Sequence, residues 1–126
     1  MPSLTLAFGK HTWDVELNDG KAAGQLASAL PLTVDMVRWG DGEYYGTLGV
    51  AIASGEKRRD VFAVGEIALW PEGNALCIFF GPTPASRGSE PRMASPGIPL
   101  GRVVSGAGAF EPLGPGLRMR VALREG

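Results

Sequence analysis

Ala75-Leu76-Cys77-Ile78-Phe79-Phe80 is apolar at every position. In an extended chain successive side chains point to opposite faces, so a strand of this composition needs cover on both sides. One face belongs to the hydrophobic core, and the other to a helix or a ligand groove. The segment is therefore expected to be the most central strand, with the rest of the chain arranged around it.

The flanking sequence reads as short strands. Leu4, Leu6 and Phe8 alternate with Ser3, Thr5 and Ala7, and after Gly9-Lys10 the alternation resumes with His11, Trp13, Val15 and Leu17 on one side. These two runs predict an opening hairpin. Lys21 to Leu30 carries Ala22, Ala23, Leu26, Ala29 and Leu30 at helical spacing. Asn18-Asp19-Gly20 offers capping side chains before it and Pro31 ends it, so one short helix is expected. Leu32 to Trp39 alternates again, with Leu32, Val34 and Met36 in phase, and Arg38 falls on that same core side. Further strands are expected at Glu43 to Ile52, Val61 to Val64, Glu66 to Trp70, Ile98 to Val104 and Leu117 to Leu123, separated by Gly, Pro and charged turns. In the last of these, Leu117, Met119, Val121 and Leu123 face inward and Arg118, Arg120 and Arg124 outward. Pairing of that strand with His11 to Leu17 would set its arginines across from Asp14 and Glu16. Gly81 to Pro99, rich in Gly, Pro and Ser, reads as a long surface loop, and the sequence leaves open whether its Ser86 to Pro96 part covers a groove. Gly106 to Gly116 reads as a turn-rich connection. Short strands at this spacing predict a mostly β barrel or sandwich.

The 126 residues suit one domain, 1–126, and no repeat or linker divides them. With 44% hydrophobic and 20% charged residues the chain has enough apolar surface to fold without disulfide or metal support. A net charge of -1 with dispersed basic residues gives no electrostatic footprint for nucleic acid. Cys77 is the only cysteine, which rules out an intrachain disulfide and fits a reducing compartment. Met1 to Leu6 lacks a basic region followed by an apolar run, and nowhere do about 18 apolar residues run together. A soluble, cytoplasmic protein with no membrane partner is expected; the oligomeric state is not legible.

Few chemistries survive inspection. One histidine and one cysteine far apart in sequence do not make a transition-metal site, so no metal is expected. Cys77 sits in the most apolar segment and reads as an inert core cysteine, and His11 as a hairpin-end residue. Gly106-Ala107-Gly108-Ala109-Phe110-Glu111 begins like a dinucleotide fingerprint but has Glu111 in place of the third glycine and no helix after it. Glu43, Glu66 and Glu72 are candidate acid–base carboxylates that nothing in the sequence pairs, and exposed strand edges are the competing reading. What remains is an aromatic and arginine set: Arg38, Trp39, Glu43, Tyr44, Tyr45, Trp70, Phe79 and Phe80. Rings supply apolar area and a guanidinium supplies directed hydrogen bonds, which suits a groove for an apolar group beside a carbonyl. The same aromatics suit an ordinary core, and Arg38 a surface ion pair.

The stretch Gly65-Glu66-Ile67-Ala68-Leu69-Trp70-Pro71-Glu72-Gly73-Asn74, continuing through Ala75 to Phe80 and into Gly81-Pro82-Thr83-Pro84, resembles the signature of the small prokaryotic cyclophilin-like proteins. Leu30-Pro31-Leu32, Glu43-Tyr44-Tyr45 and Pro99-Leu100-Gly101-Arg102-Val103 agree with it. The resemblance implies a closed cyclophilin-like β-barrel of about eight strands with one or two short helices. It also implies a groove in which the Phe79-Phe80 pair is similar to the phenylalanine pair of cyclophilins. Arg38 is then the candidate catalytic arginine, with Glu43, Tyr45, Trp70, Phe79 and Phe80 as ligand-binding residues. Peptidyl-prolyl isomerisation would need no cofactor, only a directed donor and a desolvated pocket to weaken the amide resonance. The isomerase glutamine and histidine have no counterpart, since Gln25 lies in the helix and His11 in the second strand. The expected function is thus binding of a small molecule or a proline-containing peptide in the groove. A weak isomerase and a non-catalytic partner-binding subunit are the alternatives.

Overall fold

The computed structural model describes residues 3–124; Met1, Pro2, Glu125 and Gly126 lie outside the described residues. Nine strands follow in order: β1 Ser3–Phe8, β2 His11–Leu17, β3 Leu32–Trp39, β4 Glu43–Thr47, β5 Arg59–Val61, β6 Glu66–Trp70, β7 Ala75–Phe79, β8 Arg92–Val103 and β9 Gly116–Leu123. One helix, α1 Lys21–Ala29, separates β2 from β3. Eight strands form a closed ring in the order β2-β1-β9-β3-β4-β7-β6-β8, closed by pairing of β8 with β2, and β5 adds to β8 beside the ring. All strand pairs are antiparallel. This is the cyclophilin-like architecture expected from the sequence. Among the described residues no helix is long and apolar enough to cross a membrane.

Alternation determines what fills the ring. Leu4, Leu6, Val15, Leu17, Val34, Met36, Tyr44, Ile67, Leu69, Leu76, Ile78, Met119 and Val121 point inward and are buried, and α1 adds Ala22, Ala23 and Leu26 to the same core. The hairpin turns at Gly9-Lys10, where Gly9 has φ +58, with Phe8 opposite His11. Ring closure rests on three residue pairs, Val15 with Val103, Glu16 with Arg102 and Leu17 with Gly101. A Cβ on Gly101 would lie 2.1 Å from the Glu16 carbonyl oxygen, so only glycine allows the two backbones to meet there.

Several boundaries differ from the sequence expectations. The predicted strand Glu43 to Ile52 ends at Thr47, and 48–58 run without regular structure, tied down by Asn74, whose Nδ2 donates to the Val50 carbonyl at 2.8 Å. The expected strand at Val61 to Val64 lies earlier, at Arg59–Val61. The expected loop Gly81 to Pro99 is shorter, because β8 begins at Arg92 and runs through both prolines. Pro99 sits at a register shift against β6, where a ladder N–H is not required. The last strand pairs with β1 and β3 rather than with β2. Arg118 accordingly meets Asp35 at 3.1 Å and Glu16 faces Arg102 at 3.9 Å, while Arg124, just past β9, does reach Asp14 at 3.7 Å. Leu123, expected inward, is exposed.

The helix cap also differs. No side chain of Asn18-Asp19-Gly20 caps α1. Asn18 Oδ1 accepts from the Gly20 amide at 2.9 Å, and the first-turn amide of Ala22 donates instead to Glu56 Oε1 at 2.7 Å. A carboxylate there answers both an unpaired helix N–H and the positive end of the helix dipole. That bond, followed by one from the Ser54 hydroxyl, holds the Glu56 carboxyl below its ordinary value. A depressed pKa contributes stability above the ordinary 4.5 that is lost as pH falls through the folded value. Glu56→Ala is expected to cost about 1 kcal/mol at pH 7, a typical cap loss. Urea unfolding of both proteins should show that difference shrinking once the pH drops below 4.5; a constant difference would reject the ionised cap.

Candidate functional site

On the outward side of β3, β4, β7 and β6 the alternation places a second apolar cluster. Glu43 pairs across strands with Trp39 and with Phe79, and Tyr45 with Cys77, which in turn pairs with Ala68. Phe62, Ala68, Cys77, Phe79 and Met93 form a buried group with Tyr45 and Trp70 packed on it. The Phe62 and Phe79 rings stack with centroids 4.7 Å apart. Beside this wall lies a cavity of about 180 Å³ lined by Trp39, Glu43, Tyr45, Trp70, Met93 and Ala94. It is smaller than the roughly 300 to 1,000 Å³ of sites for drug-sized ligands, so it suits one ring or one side-chain-sized group.

Each wall is held locally. Gly42 leads into β4, and a Cβ there would lie 2.0 Å from the Gly81 carbonyl oxygen, so glycine lets the loop after β7 pass close to the start of β4. Trp70 donates through Nε1 to Ser95 Oγ at 2.7 Å, which joins β6 to β8 over the cavity. Arg92 pairs with Asp60 at 2.8 Å and with Glu90 at 3.1 Å, fixing the start of β8, and the Arg59 guanidinium lies 4.4 Å from the Phe62 ring centroid.

Glu43 is the polar exception. It is 4% exposed, and its Oε1 has no hydrogen-bond partner among the described residues. Burial pushes its carboxyl from the ordinary 4.5 up to about 7, opposed by the neighbouring Cys77 thiol. Burial, then the Glu43 charge, pushes that thiol well above the usual range, so Cys77 is kept protonated and inert.

Of the residues singled out from sequence, Trp39, Glu43, Tyr45 and Trp70 come together at the cavity and Phe79 lies in the wall behind them. Phe80 and Arg38 are elsewhere. Phe80 belongs to the ring core, 5.5 Å from Tyr44, because adjacent residues of an extended segment face opposite ways. Arg38 is the last inward position of β3, 17% exposed, with its guanidinium 5.1 Å from the Phe80 ring and 5.8 Å from Tyr44. Its Nε donates to the Gly40 carbonyl at 2.9 Å, and Nη1 donates to those of Glu111 at 2.7 Å and Leu113 at 2.9 Å. Nη2 faces Asp41 at 3.6 Å. Its donors are thus turned to the protein itself, on the opposite side of the sheet from the cavity. Met93 and Ala94 were hidden within the supposed loop, and Phe62 carried no signal beyond its own hydrophobicity. Among the described residues no three His, Cys, Asp or Glu side chains converge as a metal site.

The closed ring of eight strands, one helix and an outer-face cavity define a cyclophilin-like protein. The chain belongs to the cyclophilin-like family, whose model matches residues 2–122. It is similar to the solution structure of the hypothetical protein AF2241 from Archaeoglobus fulgidus, with 33% identity over 96% of this chain and 93% of that one, and a TM-score of 0.81. A comparison with curated proteins found no match.

The raised pKa has a direct consequence for stability. Between 4.5 and about 7 the native state holds a proton that the unfolded state releases, so this group's contribution falls as pH rises through that window and is level above it. The full change is of the order of 3 kcal/mol. Glu43→Gln should remove that slope from a plot of unfolding free energy against pH, and the carboxyl carbon of Glu43 should titrate near 7 by NMR. A titration near 4.5 would show the carboxyl to be solvated.

Proposed function

We propose that this chain is a binding module that takes a small molecule, or one side chain of a short peptide, in the outer-face cavity, with Glu43 as its polar anchor. The observation that carries this reading is the buried carboxyl of Glu43, whose Oε1 has no hydrogen-bond partner among the described residues, in an otherwise apolar cavity. A buried polar group without a partner is costly, and a scaffold gains nothing from it unless a ligand completes its hydrogen bonds. Tyr45, Trp39 and Trp70 supply apolar area around it, and Phe79 acts through the wall behind.

Isomerase chemistry finds little support in this arrangement. It needs a directed donor beside the bound amide, whereas Arg38 lies across the sheet with its donors engaged. We assign Arg38 the role of clamping the connection between β8 and β9 onto the ring.

NMR exchange spectra of short X-Pro peptides with catalytic amounts of protein test both statements. Peptides that bind should shift the indole signals of Trp39 and Trp70 without faster cis/trans exchange. Accelerated exchange that disappears in Arg38→Ala would reject this assignment. Arg38→Ala is instead expected to lower stability by about 2 kcal/mol, from the loss of its charged hydrogen bonds, and to leave the affinity at the cavity within twofold.

A further inference from the structure

The cavity combines two features that together select for charge. Its lining holds three aromatic side chains and one carboxyl group but no basic residue. Two arginines beside the neighbouring wall are engaged: Arg59 with Glu66 and the Phe62 ring, and Arg92 with Asp60 and Glu90. Among the described residues no ion pair involves Glu43, and Met93 and Ala94 complete the wall without adding a side-chain donor. Aromatic faces carry the negative part of the ring quadrupole and attract organic cations, most strongly where water is excluded. A carboxylate adds a full charge at the same place, and an ionised carboxylate this deeply buried is stable only when paired.

We propose that the cavity binds a compact alkylammonium group, its positive charge facing Glu43 and its methyl or methylene groups lying against Trp39, Tyr45 and Trp70. This rests on the ligand-binding reading above and narrows it to a class. The volume suits a single trimethylammonium head or a cyclic secondary ammonium, not a large ligand. Such a head arises either on a free small molecule or on a methylated lysine of a peptide, and the cavity recognises what the two share. The titratable groups facing Glu43 are the Tyr45 hydroxyl, from the same strand, and the Cys77 thiol, from β7. The thiol stays protonated because burial and the Glu43 charge oppose its ionisation. Cation affinity is therefore expected to follow the ionisation of Glu43.

The test compares choline with its neutral isostere 3,3-dimethylbutan-1-ol, by chemical-shift titration of the Trp39 and Trp70 indoles at pH 6 and pH 8. Choline is expected to bind about tenfold tighter than the alcohol at pH 8, with a smaller preference at pH 6, where Glu43 holds its proton. Glu43→Gln should abolish the preference for choline over the alcohol at pH 8. If that variant fails to fold, the pH dependence of the wild-type preference decides instead. Equal binding of the two probes at pH 8 would overturn the cation proposal and leave the ligand-binding reading standing. Failure of both probes and of every X-Pro peptide would overturn both. A trimethyl-lysine peptide binding tighter than choline would assign the head to a protein side chain, and the reverse order to a free molecule; either order is the proposal's own prediction of cation selectivity.

Discussion

Strand β8 serves two structures at once, and most of the molecule depends on that. Its C-terminal part pairs with β2 through Gly101, Arg102 and Val103 and so closes the ring. Its middle pairs with β6 from Ile98 to Arg102. Its first residues leave the ring, pair with β5 and bring Met93 against the outward side chains of β7. Without closure the ring would present two open edges with unpaired backbone groups. Without the extension Cys77 and Phe79 would face water. A single twelve-residue strand meets both requirements, and the cavity forms where its first part passes over β6 and β7.

The outer cluster differs from the ring core in how completely it is packed. Inside the ring every inward position of β4, β6 and β7 contacts other apolar side chains, and the Tyr44 hydroxyl reaches the Gly114 carbonyl. Outside, the Phe62 and Phe79 stack is dense, yet beside it Trp39, Tyr45 and Trp70 remain half-buried around unfilled space and Oε1 of Glu43 is left without a partner among the described residues. An apolar residue at position 43 would pack the same wall without burying a charge. Departures of this kind from local packing rules concentrate where a protein meets its ligands.

Much of the ring was legible because its inward and outward positions alternate cleanly. The hairpin of β1 and β2, the span of β3 and the two-sided burial of β7 follow from Leu4-Leu6-Phe8, from Leu32-Val34-Met36 and from Ala75 to Phe80. The beginning of β8 was not legible, because Pro96, Gly97 and Pro99 read as turn residues and only tertiary pairing shows that Pro99 sits at a bulge. The Glu56 cap was equally hidden, since it reaches α1 from 34 residues away. For the site, residue chemistry pointed to Glu43, Tyr45 and Trp70, but the sequence could not separate the two faces of the sheet. Grouping Phe79 with Phe80, and Arg38 with Glu43, joined residues that the pleat sends to opposite sides.

The ring's interior at the Arg38 end is filled by Tyr44, Phe80 and Phe110, with Phe110 stacked on Trp13 at 4.0 Å and the Arg38 guanidinium spanning Tyr44 and Phe80. The lumen is therefore filled by side chains, and the cavity lies on the outside of the wall. On β4 and β7 this divides the chain by parity. Even-numbered residues such as Tyr44, Leu76 and Ile78 hold the ring together, and odd-numbered ones such as Glu43, Tyr45, Cys77 and Phe79 shape the cavity. Two sets of side chains interleaved along the same strands can thus vary separately, so that a lineage can reshape the outer cavity while its scaffold stays constant.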